Sequence, residues 1–395
     1  WSFIIYSLNC NVSRFEIELP VQRKSPTNFT LFYDSKNTGN YKSNNTGEMQ
    51  QQLKVAIVGG GIIGTACGLR ILETLPAAEV TIFTDQVTPN TTGDVAAGFW
   101  TPVYLSKTPT QLSDSWSEET YRYLQSIVES NPTPGENGVH YTPGYTVYRS
   151  ENLPVISWSH IPIGFRPMTK SEVSMFPPEI KGGYFYVSVM AEGRKLLPIL
   201  MDKFKRLGGR LVTNRRLTSF DSLIGQGFAR IVNCTGLGAR DLCADEKMYP
   251  IRGQVHRVRA PWMNFWLMDS ETSTYCLPNS DTVVLGGTSQ KGNWSTEVSA
   301  VDKADILHRV TSLWPSLASA PIVQDAVGLR PGREQVRLER EIRPDCTIYH
   351  NYGHGGSGLT IFWGCAKETV RLLLEDIGSY SKQQNGERNG IKAAL

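Results

Sequence analysis

The sequence predicts an α/β fold: one parallel sheet, interleaved with a second α+β portion built on an antiparallel sheet. Three observations carry this. Residues 55–58 are four apolar residues in a row, as in a strand buried on both faces, and they run directly into Gly59, Gly61 and Gly64. Later runs at 210–212 and 229–233 read as further parallel strands, the second ending in a polar–glycine turn at Thr235 and Gly236. Stretches at 254–259 and 281–287 read as extended and belong to the antiparallel sheet.

The first glycine run specifies a ligand. In the G-x-G-x-x-G pattern, Gly59 permits a tight turn and Gly61 lets the backbone approach a pyrophosphate. Gly64 lets the helix that begins near Ile62 and Ile63 pack close to the strand. Phosphates then sit at a helix N-terminus, where unpaired N–H groups and the macrodipole favour negative charge. A second strand at 80–84 ends at Asp85, about twenty residues past Gly64, where an acidic side chain meets ribose hydroxyls. Strand, turn, helix, strand and acid in that order describe a Rossmann-like dinucleotide site.

The remaining elements follow in chain order. Residues 88–103 read as a polar loop whose small residues, Ala97 and Gly98 among them, suit a backbone pressed against a cofactor. A helix is expected at 118–130. Another, at 194–207, is amphipathic (Leu197, Leu200, Met201, Phe204) and stops at Gly208-Gly209. Residues 347–358 are a strand feeding a second glycine-dense loop, with Gly355, Gly356, Ser357 and Gly358. A helix from Leu359 to Glu375 follows, with Phe362, Ala366, Val370 and Leu373 on one face and Lys367, Arg371 and Glu375 on the other. A second helix N-terminus aimed at the same ligand suits the electron-rich side of a reduced flavin, which favours FAD over NAD.

Composition bounds the rest. At 395 residues the chain is long for one core, so two domains are expected. It is 40% hydrophobic and 19% charged, and no apolar run is long enough to span a membrane. A net charge of +3 without a basic stripe does not point to a nucleic-acid partner. The seven cysteines are scattered, without metal-ligand spacing, so neither a metal site nor a disulfide framework is expected and a reducing compartment fits. Residues 1–48 are polar and carry sequons at Asn11, Asn28 and Asn44; they read as a disordered N-terminal extension before Met49. The FAD-binding domain is assigned to 49–105, 190–250 and 322–380, the substrate-binding domain to 106–189 and 251–321, and a flexible tail to 381–395.

From about Lys54 to Glu375 the chain resembles the D-amino-acid oxidase family. The motifs that carry the resemblance are Asp94 to Trp100, Val232 to Gly236, Arg252-Gly253-Gln254, Leu285-Gly286-Gly287, Gly328-Leu329-Arg330-Pro331 and His354-Gly355-Gly356. The resemblance implies non-covalent FAD held by Gly59, Gly61, Ile62, Ile63, Asp85, Thr91, Thr92, Thr235, Gly356 and Thr360. Around these lie Gly64, Ala97, Gly98, Gly236, Gly355, Ser357, Gly358 and Leu359. It implies oxidation of a D-amino acid by oxygen to a 2-oxo acid, ammonia and hydrogen peroxide. Arg330 matches the arginine that grips the substrate carboxylate, Tyr275 the tyrosine that bonds it, and the Gly356 carbonyl the acceptor of the amine. Arg333, Arg337 and Arg340 read instead as ion-pair residues, and His354 as a structural hydrogen-bonding group.

The short segment from Trp262 to Tyr275 resembles the branch that oxidises acidic substrates, the D-aspartate oxidases. Against it, Met268 and Ser289 stand where side-chain-binding arginines are expected, so Arg216 or Arg257 would have to reach in. The alternatives are an oxidase of neutral D-amino acids and a glycine- or sarcosine-type FAD amine oxidase. A monomer or homodimer is expected. The C-terminal Ala393-Ala394-Leu395 is a weak form of the tripeptide read for peroxisomal import, with a cytoplasmic location as the alternative.

Overall fold

In the computed structural model, which describes residues 52–102, 105, 107–130 and 136–392, the chain alternates between two sheets. It opens with β1 (Lys54–Val58), α1 (Ile62–Thr74) and β2 (Glu79–Phe83), a parallel βαβ unit. After α2 (Thr92–Val95) and α3 (Thr110–Ser130) it enters the second sheet with β3 (Val139–Tyr148) and β4 (Ile163–Pro167). The one-turn α4 (Lys170–Val173) leads to β5 (Gly182–Ala191). Helix α5 (Gly193–Arg206) then returns the chain to the first sheet, where β6 (Arg210–Val212) pairs with β2. After α6 (Asp221–Ile224), β7 (Arg230–Asn233) pairs with β1.

Past α7 (Ala239–Leu242) the chain leaves again through β8 (Tyr249–Val258), β9 (Trp266–Asp269), β10 (Thr274–Pro278) and β11 (Val283–Gly286). The short β12 (Gln290–Lys291), α8 (Ala300–Leu313) and β13 (Ile322–Gly332) complete this excursion. The last return is β14 (Arg337–Ile342), β15 (Thr347–Tyr352) and α9 (Gly358–Lys392).

The first sheet has the order β14-β15-β7-β1-β2-β6, parallel except where β14 meets β15. From β1 the chain adds β2 on one side and β7 on the other, so the topology switches at the C-terminal ends of these strands, where open α/β sheets bind ligands. Strands β1 and β2 are buried almost throughout, as their unbroken apolar runs require. The amphipathic face of α5 (Leu197, Leu200, Met201, Phe204) joins this core with α1 and the apolar face of α9. The second sheet runs β12-β8-β11-β10-β9-β3-β5-β4, with β13 on the far edge of β8, and is antiparallel except between β3 and β9.

Four expectations change. Strand β13 pairs with β8 along its length, so the return to the first sheet comes after Gly332 and not at 322. Helix α3 packs on α9 through small polar residues: the Gly364 N–H donates to Thr120 Oγ1 at 3.1 Å, and a Cβ on Gly364 would stand 2.4 Å from the Trp116 backbone. This segment, placed with the substrate domain, therefore serves the nucleotide side, and it starts at Thr110, where a face of Ser113, Trp116 and Ser117 gives no aliphatic period. The loop at 88–103 contains α2, whose Asp94 carboxylate accepts the Thr91 N–H (2.8 Å) and Oγ–H (2.7 Å). Finally, α9 continues past Glu375 through Lys392, into the segment expected as a flexible tail. The extension at 1–48 and the tripeptide 393–395 lie outside the described residues.

Candidate active site

An elongated cavity of about 1010 Å³ lies between the C-terminal ends of the first sheet and one face of the second. Its first wall is the turn from β1 into α1. Gly59 adopts φ +109°, and any Cβ there would strike the Cys234 carbonyl oxygen at 2.4 Å. A Cβ on Gly61 would meet no protein atom within 4 Å, so this backbone faces open space. Helix α1 has no side-chain cap and no acid in its first turn, which leaves its leading N–H groups for an anionic ligand. Asp85 and Gln86 continue the wall past β2; Thr91, Thr92, Ala97 and Gly98 continue it past α2.

Thr235 and Gly236 enter from the end of β7 on a hydrogen-bonded support. Asn233 Oδ1 accepts the Thr235 hydroxyl at 2.8 Å and its N–H at 3.3 Å, while Asn233 Nδ2 lies 3.2 Å from His350 Nδ1. Burial lowers the His350 pKa, so the neutral ring accepts from Asn233 and donates Nε2–H to Glu341 at 2.9 Å. The third wall is the loop after β15, with Gly355, Gly356, Gly358 and Leu359. His354 begins it, buried and pushed down to about 3, its Nε2 donating to Asn351 Oδ1 at 2.9 Å. It is held as a neutral structural group.

The opposite end is built by the second sheet. Tyr275, on β10, stands opposite Gly286 of β11, and its ring lies over Gly286-Gly287. A Cβ on Gly286 would stand 2.1 Å from the ring, and one on Gly287 2.5 Å from the hydroxyl. Arg330, on β13, directs its guanidinium over Gly253 of β8, where a Cβ would stand 2.4 Å from Nη1; that Nη1 donates to the Thr288 carbonyl at 3.1 Å. Gly253 inside β8 and Gly286 at the end of β11 thus clear the room for the two polar side chains. Sequence reasoning quoted both within motifs but did not assign them this task; the signal was glycine within or ending an apolar strand.

Of the residues singled out from sequence, Gly59, Gly61, Ile62, Ile63, Asp85, Thr91, Thr92, Ala97, Gly98, Thr235, Gly236, Tyr275, Arg330, Gly355, Gly356, Gly358 and Leu359 line this one cavity. Three do not. Gly64 packs behind the turn, where a Cβ would stand 1.9 Å from the Gly59 carbonyl oxygen. Ser357 is buried, with its N–H donating to the His354 carbonyl. Thr360 is committed to Thr101, donating to its carbonyl at 2.9 Å and accepting its N–H at 3.2 Å. Of the two reserve cations, Arg216 lines the cavity, paired with Asp241 at 3.1 Å. Arg257 is buried off the cavity wall, donating to Asn279 Oδ1 at 2.7 Å, and is close enough to Tyr275 to interact with it electrostatically.

The sequence pattern of the family described as FAD dependent oxidoreductase matches residues 54–372. The chain belongs to this family. The FAD-dependent oxidoreductase is 39% identical to a D-amino acid oxidase of Dugesia ryukyuensis over 82% of this chain and 98% of that protein. It is 37% identical to the D-aspartate oxidase of Homo sapiens over 82% and 95%. A glycine oxidase structure from Geobacillus kaustophilus shares the fold at a TM-score of 0.68 and 21% identity, covering 82% of this chain and 95% of that one. The cofactor is FAD, and the residues fit it: uncapped N–H groups and bare glycine backbone face the space a pyrophosphate requires. Among the described residues, no cluster of His, Cys, Asp or Glu could hold a metal ion, and no helix is long and apolar enough to cross a membrane.

Proposed function

We propose that the chain catalyses FAD-dependent oxidative deamination of D-amino acids to 2-oxo acids, with release of ammonia and hydrogen peroxide. The observation that supports this most is the meeting of Arg330 and Tyr275, from separate strands, in the cavity that the glycine turns of the first sheet line. FAD, when bound, accepts the hydride and passes the electrons to oxygen. The chain's own residues bind and orient. Arg330 offers a planar fork to the substrate carboxylate, Tyr275 adds a hydroxyl donor to the same group, and the Gly356 carbonyl accepts from the amine. With the carboxylate and amine fixed, these residues would hold the α-carbon in one orientation, and orientation would supply the catalysis without a side-chain acid or base at the carbon. A purified protein that is yellow and forms peroxide with D- but not L-amino acids is the expected result; no peroxide from any D-amino acid would overturn the reading.

FAD is held without a covalent link, because the turn at 59–64 carries neither His nor Cys. Acid precipitation releases all the flavin into the supernatant; flavin retained on the washed pellet would refute this. One or two copies per assembly are read directly by light scattering of the purified protein.

The location follows from the product: a peroxide producer belongs beside catalase in the peroxisome. The chain expressed from Met49 with an N-terminal fluorescent tag should collect in puncta that disappear when residues 393–395 are removed. A diffuse signal from both forms assigns the enzyme to the cytoplasm.

A further inference from the structure

Arg309, on α8, stands on the far side of the second sheet from the cavity. Helix α8 covers that side: Ile306, Val310 and Leu313 pack with Cys276 of β10 and Leu285 of β11. Alternation along β10 turns Thr274 and Cys276 toward the helix and Tyr275 toward the cavity. Three residues on from Ile306, Arg309 falls on the packed face of α8, where an apolar side chain is the ordinary occupant. The helix is anchored at its start, where the buried Arg252 holds Asp302 at 2.7 Å and Ser299 Oγ accepts the Asp302 N–H at 3.2 Å.

The Arg309 guanidinium gathers two separate segments of chain. Its Nη1 donates to the Thr272 carbonyl at 3.0 Å and to Thr274 Oγ1 at 2.6 Å, and its Nη2 donates to the Gly287 carbonyl at 3.0 Å. The first two acceptors lead directly into Tyr275. The third belongs to the residue against which the Tyr275 ring rests, since a Cβ on Gly287 would stand 2.5 Å from the hydroxyl. The Gly287 N–H donates to the Ser273 carbonyl at 2.8 Å, so the two segments are also bonded to each other. Nε is directed to the largely exposed Asp305 at 2.9 Å. Ser273, inside the turn that Arg309 grips, has φ +56°, a conformation that residues with a side chain hold only when the surroundings impose it.

We infer that Arg309 is a positioning residue for substrate binding: through Thr272, Thr274 and Gly287 it fixes where the Tyr275 hydroxyl stands, and with it the anchoring of the substrate carboxylate. The inference rests on the role given to Tyr275 in the deamination reading. A planar fork of five donors reaches acceptors on both segments at once, which a single ammonium cannot do. With the tie removed the turn relaxes and Tyr275 moves with it, while the glycine turns of the first sheet are untouched.

The test uses the purified holoenzyme, with steady-state kinetics on D-alanine and equilibrium binding of propanoate, the D-alanine skeleton without its amine, followed by flavin absorbance. Arg309→Met should raise the D-alanine KM and the propanoate dissociation constant roughly tenfold, with kcat changed less than about threefold and flavin content unchanged, because a weakened carboxylate contact is lost from ground state and transition state alike. Arg309→Lys should recover part of the affinity. Thr274→Val, which removes one acceptor and keeps the shape, should weaken both constants by roughly threefold, and it decides the matter where Arg309→Met fails to fold. In a Tyr275→Phe background, Arg309→Met should cost less than about twofold more. A tenfold loss that persists in that background, as a merely structural role would give, overturns the inference, and so does an unchanged KM in an Arg309→Met protein that retains flavin. If the unaltered protein oxidises no D-amino acid, the deamination reading falls by itself, and propanoate binding still judges Arg309.

Discussion

Arg330→Ala should lower kcat/KM by roughly 30- to 4,000-fold, the equivalent of the about 2–5 kcal/mol lost when one half of a desolvated charge pair is removed. The loss is large because the site is built around this one side chain. Gly253 leaves bare backbone beneath the guanidinium, and the Thr288 carbonyl accepts Nη1 at 3.1 Å and fixes its tilt. Nearby arginines have partners of their own: Arg333 bonds Asp245 at 3.0 Å and Arg257 bonds Asn279 at 2.7 Å. Arg330→Lys should recover only part of the activity, since an ammonium cannot reproduce the two parallel bonds of the fork. Steady-state kinetics with a D-substrate decide the matter, and near-normal kinetics in Arg330→Ala would show that another residue anchors the carboxylate.

Gly64→Ala should strip the enzyme of flavin without touching the cavity wall. The added methyl would stand 1.9 Å from the Gly59 carbonyl oxygen and 3.1 Å from its carbon. Both are backbone atoms of the turn that faces the ligand, and neither can swing aside as a side chain could. Relief requires the first turn of α1 to move off β1, which carries Gly61 to Ile63 away from the pyrophosphate position. At an overpacking cost of about 1–3 kcal/mol, the FAD dissociation constant should rise roughly 5- to 150-fold and the purified protein should lose its yellow colour. Titration of the apoprotein with FAD, alongside melting with and without FAD, measures the change. Wild-type affinity would mean that the helix and the turn do not need this contact.

The readability of the chain follows from where its signals are local. The strand–turn–helix at 54–74 was legible because apolar run, glycine spacing and helix follow one another within a few residues. The same holds for β15, its glycine loop and the start of α9. Helix α3 was half hidden because its buried face begins with Ser113 and Ser117 and packs by close approach to Gly364, a relation no window of sequence contains. Strand β13 was assigned to the wrong sheet because its only cue, the motif at 328–331, says nothing about its partner β8. Arg330 and Tyr275 were reached through resemblance, whereas the clearance at Gly253 and Gly286 emerges only when three strands lie side by side.

The alternation between the two sheets governs how the protein can be made. Val55 pairs with Arg230, and Arg230 with Thr347, so the middle strands of the first sheet wait for partners synthesised at opposite ends of the chain. A nascent chain leaving the ribosome can form the opening βαβ unit and the β3–β5 hairpins early. The nucleotide sheet, however, gains β15 only when synthesis is nearly complete, and closing loops of that span is slow. Until then the edge of β7 stands open, an unpaired strand of the kind that invites pairing with other chains. Neither half of the polypeptide contains a whole sheet, so the enzyme has no separable cofactor module to transplant. A ligand that grips both sheets at once, as a flavin with its substrate would, therefore also holds the two halves of the chain's path together.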